Sequence, residues 1–184
     1  MGIALNSKSL LDQALILKKL NLDDRQKVAD LGSGKFGYFI FPLAKIVGKN
    51  GLVYAVDILK ANLDEISQRA RLENLSQIKT IWSNLEIFKA TQIESSSLDV
   101  ALLVNTLNQS NKRAEIIREA VRMLKRNGKL MIVEWKNADL PFGPIEEHRV
   151  KIEAIKNNAN NLGLQLVDEF DAGQYHYGLL LKKL

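Results

Sequence analysis

Apolar residues along this chain follow two alternating rhythms. Short runs such as Val28 to Leu31, Leu52 to Val56 and Leu98 to Val104 end in polar or glycine-rich turns and read as buried strands. Between them, apolar residues recur three and four apart, the spacing that paints one stripe along a helix. Leu10, Leu11, Ala14, Leu15, Leu17 and Leu20 give a first helix over about residues 7–20, entered after Ser9, which should lie over the sheet or a ligand as a lid. The pattern then predicts strand 28–31, helix 39–47 closed by Gly48-Lys49-Asn50-Gly51, strand 52–57, helix 61–75, and strands 78–82 and 98–104. Helix 111–124 follows, with Asn111 as its cap and Asn127-Gly128 as its stop, then strand 129–134. After a loop around Pro141 and Pro144 come helix 146–161 and two closing strands, 164–167 and 178–181, spaced as an antiparallel edge pair. Regular alternation of strand and helix predicts an α/β fold with a mostly parallel sheet of about seven strands. Trp82 is expected to be a packing residue.

Composition narrows the class. With 184 residues, 46% hydrophobic, 26% charged and three prolines, the chain has the make-up of one folded domain over 1–184. No apolar run approaches the roughly 18 residues of a membrane span, and residues 1–20 lack a signal-peptide core, so a soluble cytoplasmic protein is expected. The absence of cysteine removes disulfides, thiolate metal sites and cysteine nucleophiles. The formal charge of +5 comes from lysines scattered along helices rather than from a basic block, which reads as solvated surface. A homo-oligomer is allowed but not indicated.

The chemistry starts at Val28-Ala29-Asp30-Leu31-Gly32-Ser33-Gly34-Lys35-Phe36-Gly37, a strand entering a G-x-G-x-x-G turn. Such a turn aims backbone N–H groups and a positive helix end at a bound anion. Asp30 at the strand tip would repel a pyrophosphate. An amino acid with a sulfonium side chain instead offers an ammonium for the carboxylate and a carboxylate for the amides. Asp57 lies about twenty residues past the glycines, where an acid reaches the two hydroxyls of a ribose; the plainer alternative for it is a helix cap.

Through VADLGSGKFG, LVYAVDI, SLDVALLVNTLNQS and MLKRNGKLMIVEWK, in that order, the chain resembles the class I S-adenosylmethionine-dependent methyltransferases. Its tail, GPIEEHR and LGLQLVDEFDAGQYHYGLLLKK, is similar to small free-standing members near the ubiquinone and menaquinone biosynthesis enzymes. The resemblance implies a Rossmann-like, doubly wound sheet in three α/β/α layers, S-adenosylmethionine as cofactor, and methyl transfer to an acceptor. It further implies that Asp30, Gly32, Ser33 and Gly34 hold the methionine portion, that Asp57 binds the ribose, that Ile58 packs on the adenine, and that Asn105 with Thr106 lines the donor pocket. Where the family often has an acid for the adenine amino group, Ser83-Asn84-Leu85 puts Asn84, an uncharged acceptor. Asn108-Gln109 replaces a frequent histidine pair, and LKRNGK lacks the usual proline.

The two histidines, His148 and His176, both lie in the tail. His176 or Tyr175 is the first candidate for a general base, with His148 or Glu134 behind them, and no metal site is expected. Asp139-Leu140-Pro141-Phe142 has only a chance likeness to the loop of amino-methylating DNA enzymes, so a small-molecule acceptor is expected rather than specific nucleic acid. Two other functions compete with that reading: a catalytically weak cofactor-binding or RNA-associated regulatory module, suggested by the basic charge, and an NAD-dependent oxidoreductase, suggested by the glycines with Asp57.

Overall fold

The computed structural model describes residues 10–138 and 142–184. Seven strands, β1 (Lys27–Leu31), β2 (Leu52–Asp57), β3 (Ile78–Trp82), β4 (Leu98–Val104), β5 (Leu124–Trp135), β6 (Leu164–Asp171) and β7 (His176–Lys183), form one sheet in the order β3-β2-β1-β4-β5-β7-β6. The first five pair in parallel, and β7 pairs antiparallel with both β5 and β6. Chain order runs outward from β1 to β3 and then returns to β4 on the other side of β1. The carboxyl ends of β1 and β4 therefore flank the reversal point where open α/β sheets bind ligands.

Helices α1 (Gln13–Leu20), α2 (Ile40–Val47) and α3 (Lys60–Leu72) cover one face, where Ile16, Leu43 and Ile66 meet Val28, Val53, Leu102 and Val133. Helices α4 (Arg113–Met123) and α5 (Ile152–Asn161) cover the other, where Ile117 and Ile155 meet Ala29, Leu103, Ile132 and Leu179. Strand side chains alternate between the two faces, and the inner parallel strands β1, β2 and β4 are mostly buried and apolar on both sides, as their uninterrupted runs require, whereas edge strand β3 is half-exposed. The three-layer, doubly wound sheet with its antiparallel edge pair is the one the sequence predicts. No helix among the described residues is long and apolar enough to cross a membrane.

Several element boundaries differ from expectation, each for a physical reason. α1 is capped by Asp12, whose carboxylate accepts from Leu15 N at 2.9 Å, instead of by Ser9; Ser9 and the rest of residues 7–9 lie outside the described chain, as does the 139–141 part of the Asp139 to Phe142 segment. α4 starts at Arg113 with Lys112 at the cap, because Ser110 rather than Asn111 orders that turn by accepting from Lys112 N. Asn127-Gly128 does not stop α4. The helix ends at Met123 because fully buried Leu124 turns extended to pair with Leu98, and Asn127, at φ +65°, sits in an irregular stretch of β5. The expected helix 146–161 splits into a single turn over Glu146–His148 and α5. Arg149 is extended between them, and the Val150 carbonyl accepts from the Tyr177 hydroxyl at 2.7 Å. Trp82 is exposed instead of packed: its Nε1 donates to the Ile58 carbonyl and Lys60 lies over its ring.

The connection from β3 to β4 forms one wall of the site and is held by a buried ion pair. Glu119 of α4, wholly buried, accepts from Lys89 N and Thr91 N and pairs with Arg122 at 2.8 Å. Arg122 in turn donates to the carbonyls of Thr91 and Ile93. Burial alone would raise the Glu119 carboxyl, but its bonds from Arg122, Lys89 and Thr91 outweigh that and hold it below the usual carboxylate range. Replacing Glu119 with alanine strands a guanidinium and two amides. The expected loss is about 3 kcal/mol of unfolding free energy, read as a lower denaturant midpoint at unchanged slope; an unshifted midpoint would remove the pair from its anchoring role.

Candidate active site

Two adjoining cavities open above the carboxyl ends of β1, β2 and β4, sharing Gly32, Gly34 and Gln109 in their walls. One, of about 270 Å³, lies between Asp57, Ile58 and Leu59 on one side and Asn84, Leu85 and Glu86 on the other, with Ser110 and Ile116 at its end. The second, of about 550 Å³, is bounded by Asp30, Ser33, Val104 and Asn105 below and by Leu10, Leu11, Tyr38 and Phe39 above. The segment before α1 thus roofs the second cavity. It is fixed there by His176, whose Nδ1 donates to the Leu10 carbonyl at 2.8 Å, and by Gln13, whose amide donates to the Tyr38 carbonyl at 2.6 Å.

The glycine turn is shaped by a close approach. Gly32 has φ +89°, and a β-carbon there would stand 2.6 Å from Thr106 Oγ1, which donates to the Leu31 carbonyl. Gly34, at φ +64°, faces open space. The expectation of free turn amides needs correction: Gly32 N and Ser33 N donate to the Val56 carbonyl, and Gly34 N donates to Asp57 Oδ2 at 2.9 Å. Nor does a helix start at the glycines, because α2 begins only at Ile40. The turn therefore gets its form from β2, with the Asp57 carboxylate as the clamp. Its other oxygen accepts from Leu59 N at 2.8 Å. Asp57 is not the cap of α3, since Leu59 holds that position. Each Asp57 oxygen keeps a lone pair for a further donor from the first cavity.

Two buried carboxyls dominate the electrostatics. Asp30, 2% exposed, pairs in register with Ala55 of β2 and Leu102 of β4, and burial followed by the charge of Asp57 raises its pKa to about 7. Glu134, fully buried, is likewise raised to about 7 by burial, although Leu107 N at 2.7 Å and Asn108 N donate to its Oε1. Those two bonds hold the turn after β4 that carries Asn105 and Thr106. Ser33 Oγ, Asn105 Oδ1 and Glu134 Oε2 are buried without a partner. A buried acid that lacks a cation, beside unpaired hydroxyl and amide groups, fits a ligand bearing an ammonium.

All nine residues that the sequence assigns to cofactor binding line these two cavities. The four base candidates lie outside their walls. Glu134 sits beneath the turn after β4, and His176 is buried against Trp135 at 4.3 Å between ring centres, its Nε2 unpaired and its pKa lowered by burial. Tyr175 meets Phe142 edge to face, and His148 is exposed on the turn before α5. Sequence reasoning missed Glu86, Ser110 and Tyr38, which join the site through loop geometry that no periodicity reports, and noted Gln109 only as a replacement for a family histidine.

A methyltransferase-domain family model matches residues 22–179. The chain belongs to that family. Its cofactor is S-adenosylmethionine. Over 114 residues the chain is 32% identical to an arsenite methyltransferase of Aquipseudomonas alcaligenes; the match takes in 58% of this chain and only about a third, 32%, of that relative's length. A solved S-adenosylmethionine-dependent methyltransferase from Aquifex aeolicus superposes with a TM-score of 0.84 at 21% identity, covering 95% of this chain and 91% of that one. The [4+2]-cyclase SpnF superposes at 0.77 and 14% identity, over 93% and 82%. At these identities the likeness extends to the fold alone. Nearness to the quinone-biosynthesis enzymes finds no support among these relatives.

An ammonium favours ionised Asp30, so affinity for S-adenosylhomocysteine should hold above pH 7 and fall as the carboxyl protonates below it. Calorimetric titration is expected to give a loss approaching tenfold per pH unit below 7, with the slope abolished in Asp30→Asn. A flat profile in the parent protein would exclude the assignment of Asp30 to the ammonium.

Proposed function

We propose that this chain transfers the methyl group of S-adenosylmethionine to an oxygen, nitrogen or carbon nucleophile of a small molecule by in-line displacement. The observation that carries the reading is the pair of carboxylates on the tips of β1 and β2, one on each side of the glycine turn and one in each cavity. In the proposed complex Asp57 accepts from the ribose hydroxyls, Asp30 faces the ammonium, Ile58 and Leu85 enclose the adenine, and Gly32, Ser33, Gly34 and Asn105 line the methionine path. The cofactor supplies an electrophilic sulfonium methyl. What the chain must add is orientation, and holding two reactants in line can account for much of the acceleration.

The acceptor is proposed to enter the second cavity beneath Leu10, Leu11 and Tyr38. Among the described residues no lysine or arginine lines either cavity, and the ionisable groups there are acids, so an uncharged or basic acceptor is favoured over a polyanion. Arsenite, named for the bacterial relative, is a poor match, because soft thiophilic centres are held by thiolates and this chain has no cysteine. His176 commits its Nδ1 proton to Leu10 and lies beneath the cavity roof. Its proposed role, with Glu134, is to position the segments bounding the site, leaving Tyr175 and His148 outside the reaction.

Titration of S-adenosylhomocysteine against NAD, followed by transfer of labelled methyl to a panel of phenols, amines, carboxylates and arsenite, tests this reading. Binding of the homocysteine nucleoside with no NAD binding, and label entering a neutral or basic acceptor, are expected. Affinity for NAD alone would sink it. Turnover in His176→Ala should keep the parental pH profile, whereas loss of an acid limb near neutrality would restore the imidazole as base.

A further inference from the structure

The sheet has two open edges, and they are built differently. β6, at one end, carries a register shift between Leu166 and Asp168, and its acids are engaged within the molecule: Asp168 pairs with Lys19, Glu169 with Lys156 and Asp171 with Lys136. A bulge and charges of this kind protect an edge from pairing with a foreign strand. β3, at the other end, has neither. Its residues hold an unbroken register with β2 from Ile78 to Trp82, Lys79 is its one charged residue, and Trp82 is 59% exposed. Backbone groups of successive strand residues point to opposite sides. Val53 N donates to the Gln77 carbonyl and Ser83 N to the Asp57 carbonyl, so residues 77, 79, 81 and 83 face β2. Ile78, Thr80 and Trp82 therefore direct their backbone groups toward the open side. Ser67, Arg71, Ile78 and Thr80 share the wall of one groove beside this edge. Asp64, Ser67 and Arg71 lie three and four apart on α3 and so form one stripe. Asp64 and Arg71 are exposed, and neither has an ion partner among the described residues.

We infer that β3 is a self-pairing edge, which takes the β3 of a second copy of this chain in antiparallel register across a two-fold axis at Thr80. That register sets Thr80 against Thr80, Ile78 against Trp82 and Lys79 against Ile81. No like charges stand opposite, and threonine pairs and pairs of a β-branched residue with an aromatic ring are among those that stabilise a sheet. Each Thr80 exchanges both backbone bonds with its mate, and each Trp82 N–H reaches the opposite Ile78 carbonyl. Ile78 N needs no partner, because it already donates to the Leu75 carbonyl. The indole is ordered before it pairs, by its bond to the Ile58 carbonyl and by Lys60 over its ring. The same axis lays α3 antiparallel to its copy, with Asp64 opposite Arg71 and the short Ser67 between them. Two charges left unpaired in the single chain thus find partners in the pair. The pairing is independent of what the cleft binds.

Sedimentation equilibrium of the full chain over a range of concentrations reads the pairing. One strand pair with a helical flank is a small interface, so the parent is expected to move from 20.7 kDa toward twice that mass with a midpoint at roughly micromolar to tens of micromolar concentration. Thr80→Lys sets two ammonium groups face to face on the axis and should weaken association by about tenfold or more. Asp64→Arg should weaken it by about fivefold, and Asp64→Arg combined with Arg71→Asp, which exchanges the two charges, should restore it. Val167→Lys, on the exposed part of β6, should leave it unchanged. A parent that stays monomeric throughout, association that survives Thr80→Lys, or association lost in Val167→Lys would overturn the inference. So would a loss in Asp64→Arg that the exchanged pair does not recover, a result that stands even where Thr80→Lys fails to fold.

Discussion

A carboxyl group enclosed between parallel strands costs free energy unless something compensates it, and Asp30 sits in that situation at the centre of the sheet. Its side chain lies where the strand order reverses, so β2 and β4 both contribute to its burial. The second acid, Asp57, cannot relieve it and adds repulsion. With a folded pKa near 7 against an ordinary value of 3.8, the group favours the folded state below about pH 4 and withdraws that contribution as pH rises through 7. A cation bound beside Asp30, as proposed, would offset that cost near neutrality.

The rest of the site keeps that acid where a ligand can reach it. Asp57 clamps Gly34 and Leu59 together, Thr106 closes on Gly32, and Glu134 holds the amides of Leu107 and Asn108, so that each loop at the cleft is tied by a side chain from a different strand tip. Glu119 and Arg122 do the same for the 89–93 stretch from the opposite face of the sheet. Carboxylates that accept backbone N–H groups form three of these ties, those of Asp57, Glu134 and Glu119. Such bonds suit a rim built of irregular loops, because a short acid can satisfy two amides that no ladder reaches.

Legibility in the sequence tracked how local the determining interactions were. β2 and β4 were readable to the residue, and Asp30, the glycines and Asp57 were readable as a motif, because burial on both faces writes continuous apolar runs and sharp turns demand glycine. Contacts distant in sequence were not readable. Asn127-Gly128 has turn chemistry, yet Leu124 is drawn into pairing with Leu98 before the helix could reach it. The break ahead of α5 depends on the Tyr177 hydroxyl, 27 residues away, taking the Val150 carbonyl. Trp82 has the composition of a core residue but lies at the exposed tip of β3, and His176 has the chemistry of a base but is turned toward the Leu10 carbonyl. Glu86 gave no signal because its place in the cleft comes from a turn and a serine 24 residues on.

The two cavities also differ in how much of them the family describes. The first cavity is built wholly from residues within the matched stretch 22–179. The second cavity is roofed by Leu10 and Leu11, which precede that stretch and are held by His176 near its end. If acceptors enter there, as proposed, their selection depends on a segment that precedes the matched stretch and is held by the His176 imidazole, the Gln13 amide and a backbone bond from Asp12 N to the Ala172 carbonyl. A fold on which both a methyltransferase and a [4+2]-cyclase superpose does not by itself carry the acceptor's identity.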